Sequence, residues 1–213
     1  MNENVKKVAF TQMKDGTREE YLLLRELEAP HVAMTPDRIL RELKMQAEES
    51  LPGYQISRLE HALQSTTRAR REGADDDWIV AALLHDIGDA LAPHNHDRFA
   101  AEILRPYMRE ECTWVVEHHA AFQMVYYAHH YGWNRNEREK FKDSPFYQSC
   151  VDFCERWDQA SFDPEFASDP LESFEPAVRR VFARKPYDKA VMAEGEVRGL
   201  PPLARAAGVT PET

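Results

Sequence analysis

"AALLHDIGDALAPHNH", residues 81–96, decides how this chain is read. A nearly continuous apolar run, Trp78 to Leu84, ends in the adjacent pair His85-Asp86, and His94 and His96 follow close behind. A helix that is apolar all round belongs at the centre of a fold. Imidazole and carboxylate at the tip of such a helix are costly to bury unless they are paired or hold a cation. Of the nine histidines, eight lie between positions 61 and 130. That concentration, and not His85 alone, points to a metal site.

Outward from this run, helical periodicity dominates in both directions. Residues 17–28 and 37–49 read as helices, the second opening on Thr35 as N-cap with Pro36 behind it. Residues 57–72 follow the break "LPGYQ", with Ser57 and Glu60 in capping-box spacing. "EGADDDW" turns into the central helix, 76–87. Further helices are expected over 97–105, 108–130 with a break near 120, 135–141, 145–160 and 174–184. No hairpin signal or alternating strand set occurs, so the expected class is all-α, a compact helical bundle. Residues 1–50 are expected to form a helical extension packing on the core, 51–184 the main domain, and 185–213 a proline-containing tail that is irregular or wraps the body.

The chain has 213 residues and a formal net charge of −10. Nucleic-acid grooves need a basic surface, so nucleic acid is not an expected partner. No apolar stretch is long enough to span a bilayer, and the N-terminus lacks the apolar core of a secretory signal. Three cysteines, Cys112, Cys150 and Cys154, give no disulfide framework, and a cytoplasmic setting is expected.

The ligand-type residues fall on separate elements. His61 sits on the 57–72 helix, His85 and Asp86 end the central helix, and His96 opens the next one. His118 and His119 lie in "TWVVEHH", and Asp158 shares a helical face with Val151 and Cys154. Imidazole and carboxylate ligands suit first-row metals. His61, His85, Asp86 and Asp158 would complete one site, His96 and His118 a second, and Asp86 can bridge. His94 reads as an exposed loop residue, His129-His130 as a helix end, and Cys150 and Cys154 as core.

The spacing His61…His85-Asp86…Asp158, with the pair inside "LLHDIGD", resembles the HD-domain superfamily of metal-dependent helical proteins. With His96 and His118 added it is similar to the mixed-valence diiron oxygenases of that superfamily, a branch that includes myo-inositol oxygenase and an HD-domain phosphonate dioxygenase. The resemblance covers roughly residues 52–165. It implies two iron ions, Fe(II)/Fe(III), with His61, His85, Asp86 and Asp158 on the first, His96 and His118 on the second, and Asp86 between them. His119 competes with His118. His118 is preferred because it leaves a four-residue step to Phe122, on the substrate side.

The departures from those relatives bear on the substrate. A basic residue three positions after the His-Asp pair is replaced by Asp89, a lysine by Phe122, and an arginine by Glu155. Leu51 and Tyr54 stand where the relative has lid residues. Without these basic side chains a phosphonate is not the expected ligand. Acidic Asp89 and Glu155 among Tyr54, Phe122, Tyr126, Tyr127, Trp133 and Trp157 suit an ammonium group. Asp89 and His119 are the candidates for direct catalytic roles. The expected function is oxidation, or oxidative cleavage, of a small polar and amine-bearing molecule with dioxygen. A metal-dependent phosphohydrolase using manganese or magnesium, with Arg58, Arg98 and Arg156 as the available cations, is the alternative, and a non-enzymatic HD scaffold a third reading.

Overall fold

The computed structural model describes residues 6–48 and 53–203. Among these there are helices and no strands. The chain divides between Ile39 and Leu40 into two compact units, a division that falls inside a helix. The expected boundary at 50–51, Leu51 and the last ten residues lie outside the described residues.

The N-terminal unit holds α1 (Arg18–Ala33) and the start of α2 (Thr35–Met45). Thr17 and Glu20 form a capping box at the head of α1: the Glu20 amide donates to Thr17 Oγ1 at 3.3 Å, and the Thr17 amide donates to Glu20 Oε2 at 2.9 Å. The helix continues through Pro30, five residues past the expected end.

In the second unit α3 (Arg58–Arg71) starts at the capping box its sequence predicts. The Ser57 amide donates to Glu60 Oε2 at 2.6 Å and the Glu60 amide to Ser57 Oγ at 3.1 Å. Next comes α4 (Asp76–Leu84), capped by Asp75, whose Oδ1 accepts from the Trp78 amide at 3.0 Å. Every residue from Asp77 to Leu84 is buried. This is the central helix, packed against α3, α6 (Glu110–Tyr127) and α8 (Glu175–Phe182). It stops three residues earlier than expected. His85 to Leu91 form consecutive tight turns instead, which frees His85 and Asp86 from a helical register.

Three further differences from the sequence reading have local causes. α6 runs unbroken past residue 120, tightens into a 3-10 turn over Ala128–Tyr131, and ends where Gly132 takes the left-handed conformation, φ 70°. Residues 137–141 form a 3-10 helix. α7 (Tyr147–Phe153) does not continue as an α-helix to 160; it widens into a π-helical turn over Cys154–Asp158, where the Gln159 amide donates to the Cys154 carbonyl at 3.0 Å.

The C-terminal segment, with α9 (Lys189–Met192), is tied down by buried acids. The Glu110 carboxylate accepts from the Gly195 amide at 2.7 Å. Glu111, fully buried, accepts from Ser149 Oγ at 2.7 Å and from the Gly199 and Arg198 amides at 2.8 and 3.2 Å, with Arg109 Nε at 3.4 Å. The Gly199 carbonyl in turn accepts from Trp78 Nε1 at 2.9 Å. Glu111→Ala strands these donors and should lower the unfolding free energy by about 3–5 kcal/mol, as breaking one partner of a buried charged network does. Urea denaturation checks this, and a loss below about 1 kcal/mol would show that the tail is held by other means.

Candidate metal centre

Three turns of backbone meet at the tip of α4. The α3 helix brings His61, the turn after α4 brings His85 and Asp86, and the π turn brings Asp158. Two more imidazoles arrive from α5 (His96–Leu104), through His96 at its first residue, and from α6, through His119.

The anchoring of the rings sets the chemistry. His61 Nδ1 lies 2.8 Å from the Ser161 carbonyl, His85 Nδ1 2.9 Å from the Ala82 carbonyl, and His119 Nδ1 2.7 Å from the Val116 carbonyl. A carbonyl only accepts, so each Nδ1 carries the proton and donates it. In the neutral ring each Nε2 is then a bare lone pair, the form a metal ligand takes. Those Nε2 atoms converge. His61 and His85 Nε2 are 3.0 Å apart. Two facing lone pairs at that distance repel unless a cation stands with them.

The carboxylates complete the set. Asp86 Oδ2 is 3.5 Å from Nε2 of both His61 and His85. Its other oxygen, Oδ1, is 3.1 Å from His119 Nε2 and 3.4 Å from His96 Nε2. One carboxylate therefore presents each of its oxygens to a different pair of imidazoles. Asp158 Oδ1 lies 3.3 Å from His61 Nε2 and 3.6 Å from His85 Nε2, while its Oδ2 is buried without a hydrogen-bond partner among the described residues. Ligand atoms of His61, His85 and Asp86, of His85, His119 and Asp158, and of Asp86, His96 and His119 each group within 4.8 Å. Burial opposes charge on His85, but Asp86 and Asp158 more than reverse this and bring its pKa up to about 10. Asp158 is held well below the usual carboxylate range, against its burial, by His85 and His61. The carboxylates draw positive charge into the cluster, and bound metal cations would supply it in place of protons. The donors fit first-row metals.

Two expected residues sit elsewhere. His118 is not in the cluster. Its Nδ1 donates to the Trp114 carbonyl, and its ring stacks on Trp114 at 4.2 Å and meets Phe141 edge-on at 4.4 Å. One residue is a 100° rotation on a helix, so His118 and His119 cannot both face α4, and the structure turns His119 inward. The four-residue step moves with it: Phe122 is fully buried against Trp114, Phe141 and Tyr147, while Gln123 faces the site.

A cavity of about 720 Å³ opens beside the cluster. Asp86, Asp89, His96, His119 and Asp158 lie at one side of its lining, and Tyr54, Tyr126, Tyr127, Tyr131, Trp133 and Phe162 make an aromatic wall. Tyr54 and Tyr126 are thus where the sequence reading puts them. Glu155 is exposed and does not line the cavity, because the π turn carries it outward; Gln159 does. Trp157 is core, stacked edge-on with Trp78 and Phe153. Of the cations the sequence offers, Arg58 lines the cavity, while Arg98 and Arg156 do not appear in its lining. Arg58 sits one turn before His61, the i−3 position of the same helix face, a signal the sequence carries. Arg58 Nε is 2.7 Å from Asp89 Oδ2, and Asp89 Oδ1 is 3.4 Å from His96 Nδ1. The Asp89 carboxylate is therefore engaged within the protein.

Comparison with known proteins agrees with this geometry. The HD domain family model matches residues 58–156, the span that carries His61, His85-Asp86, His96 and His119. Over these residues the chain carries an HD domain. The family model for myo-inositol oxygenase matches residues 4–102, overlapping the HD match over residues 58–102. A relative from Leisingera caerulea, "[1-hydroxy-2-(trimethylamino)ethyl]phosphonate dioxygenase (glycine-betaine-forming)", is 32% identical over 85 residues, covering 35% of this chain and 43% of the relative. The chain thus matches less than half of that protein's length.

The geometry separates the two histidines by metal content. His119→Ala should lower the bound metal content, whereas His118→Ala should keep it and lose only stability; elemental analysis of the two purified variants decides between them. Gly88 gives a second handle. A Cβ there would lie 2.8 Å from the His96 carbonyl oxygen and 2.9 Å from its Cα, so Gly88→Ala must push the turn away from α5. Metal titration should show weaker binding than in the wild type, because His96 is displaced from Asp86.

Proposed function

We propose that this HD-domain protein is a diiron oxygenase that oxidises, and in part cleaves, a small polar amine-bearing molecule with dioxygen. The observation that carries the reading is the single Asp86 carboxylate whose two oxygens face separate imidazole pairs. His61, His85, Asp86 and Asp158 would hold one iron, and His96, His119 and Asp86 the other. Bound there, iron in the Fe(II)/Fe(III) state supplies the redox chemistry with dioxygen that side chains lack.

The chain's own residues supply everything else. Backbone carbonyls fix the Nδ1–H tautomer of His61, His85 and His119, so that the ligands are presented without reorganisation. Gln123 faces the cavity with a buried Nε2 that has no hydrogen-bond partner among the described residues, a donor open to a substrate oxygen. The aromatic wall, whose rings are open to solvent, suits an alkylated ammonium, because ring faces attract cations without a counter-charge. Asp89, paired with Arg58, no longer supports the amine by its charge; the rings do. The relative's printed name specifies a trimethylamino substrate, which accords with such a wall.

Anaerobic loading with iron(II), iron analysis, and oxygen-electrode screening of small amines and alcohols test the reading. Two irons per chain, a mixed-valence electron paramagnetic resonance signal after limited oxygen, and substrate-dependent oxygen uptake are expected. Manganese or magnesium with phosphoester turnover and no oxygen uptake would establish the phosphohydrolase instead.

A further inference from the structure

We propose that Arg58 is an anion anchor within the cavity and binds a carboxylate or phosphonate group of the substrate beside the metal cluster. The inference rests on the site assigned above and adds to it the second end of the substrate.

Among the described residues, Arg58 is the one lysine or arginine that lines the cavity. Its side chain is only 16% exposed and is held from two sides. Asp89 Oδ2 lies 2.7 Å from Nε, and the Tyr54 ring centroid lies 5.2 Å from Cζ. A side chain fixed this way has already lost its rotamer freedom, so a ligand does not bear that cost. The guanidinium has five N–H donors in one plane. Nε lies against Asp89 in a close ion pair that lacks hydrogen-bond geometry, and the two Nη groups form the edge that takes a carboxylate or phosphonate through two parallel bonds. Arg58 Nη1 is 3.6 Å from Asp86 Oδ2, so an anion bound on this edge lies next to the cluster. Tyr126, Tyr127, Tyr131 and Trp133 line the same cavity, so a ligand held by Arg58 at one end and by these rings at the other is a zwitterion.

Calorimetric titration of the iron-loaded protein with methylphosphonate, acetate and choline tests this. In Arg58→Gln, affinity for both anions should fall about tenfold or more, as expected for lost charge-assisted bonds, with choline unchanged. Arg58→Lys should fall between, because the point charge remains and the planar fork does not. Methylphosphonate binding that depends on Arg58 without acetate binding supports the anchor and narrows it to tetrahedral anions. Equal anion affinity in Arg58→Gln and wild type overturns it, as does an equal loss of choline, which would mean that the cavity itself had collapsed. Iron content of the same samples separates the two readings. Two irons with no Arg58-dependent anion binding sinks the anchor alone, and Arg58-dependent binding without iron sinks the diiron reading alone.

Discussion

A buried carboxylate shared between two pairs of imidazoles is the constraint on which the structure depends. Asp86 and Asp158 are both largely removed from water. An ionised carboxylate is tolerated there only if positive charge stands against it. His61 and His85 meet one Asp86 oxygen, and His96 and His119 the other. Five segments distant in sequence are brought together by that requirement. The bundle can be read as the scaffold that delivers them, with apolar α4 bearing His85 and Asp86 at its C-terminal end.

Backbone devices do the fine positioning. The last carbonyls of a helix have no intrahelical partner. Ending α4 at Leu84 leaves the Ala82 carbonyl for His85 Nδ1, so the helix end and the ring tautomer solve one another. Gln46, buried, donates from Nε2 to the Ile87 carbonyl at 3.2 Å and holds the turn that follows. The π turn adds a residue to one helical turn, aims Asp158 at His61 and His85, and leaves Glu155 in solvent. Such bulges are frequent at functional sites, where a regular helix would point the ligand elsewhere.

This explains what could be read from the sequence and what could not. Capping boxes and a fully apolar run are local, so α3 and α4 are legible and the all-α class follows. His61, His85, Asp86, His96 and Asp158 are legible because each occupies a separate element with a motif to mark it. His118 and His119 differ by one residue on a helix flanked by Trp114, Val115, Val116, Ala120 and Phe122, apolar on nearly every side. With no polar face to orient the helix, periodicity could not choose between them, and the assignment of Phe122 failed with it. Glu155 required knowledge of a π turn, which no pattern announces. Arg58 was within reach, one turn from His61, but its pairing with Asp89 spans 31 residues and is tertiary.

That pairing changes what the cavity recognises. A free Asp89 would make the site attractive to any cation by charge alone, screened by salt and indifferent to shape. With Asp89 committed to Arg58 and His96, attraction for an ammonium passes to the rings of Tyr126, Tyr127, Tyr131 and Trp133, where Tyr131 and Trp133 stack at 4.9 Å. Ring faces favour weakly hydrated, alkylated cations over ammonium itself, because the latter must give up stronger hydration. Tyr54 lies against the guanidinium, whereas Tyr126, Tyr127, Tyr131 and Trp133 stand on other elements of the same cavity, so a ligand that meets Arg58 and those four rings carries its charges apart. Selectivity then comes from charge separation along the substrate and not from net charge, which for such a molecule is near zero.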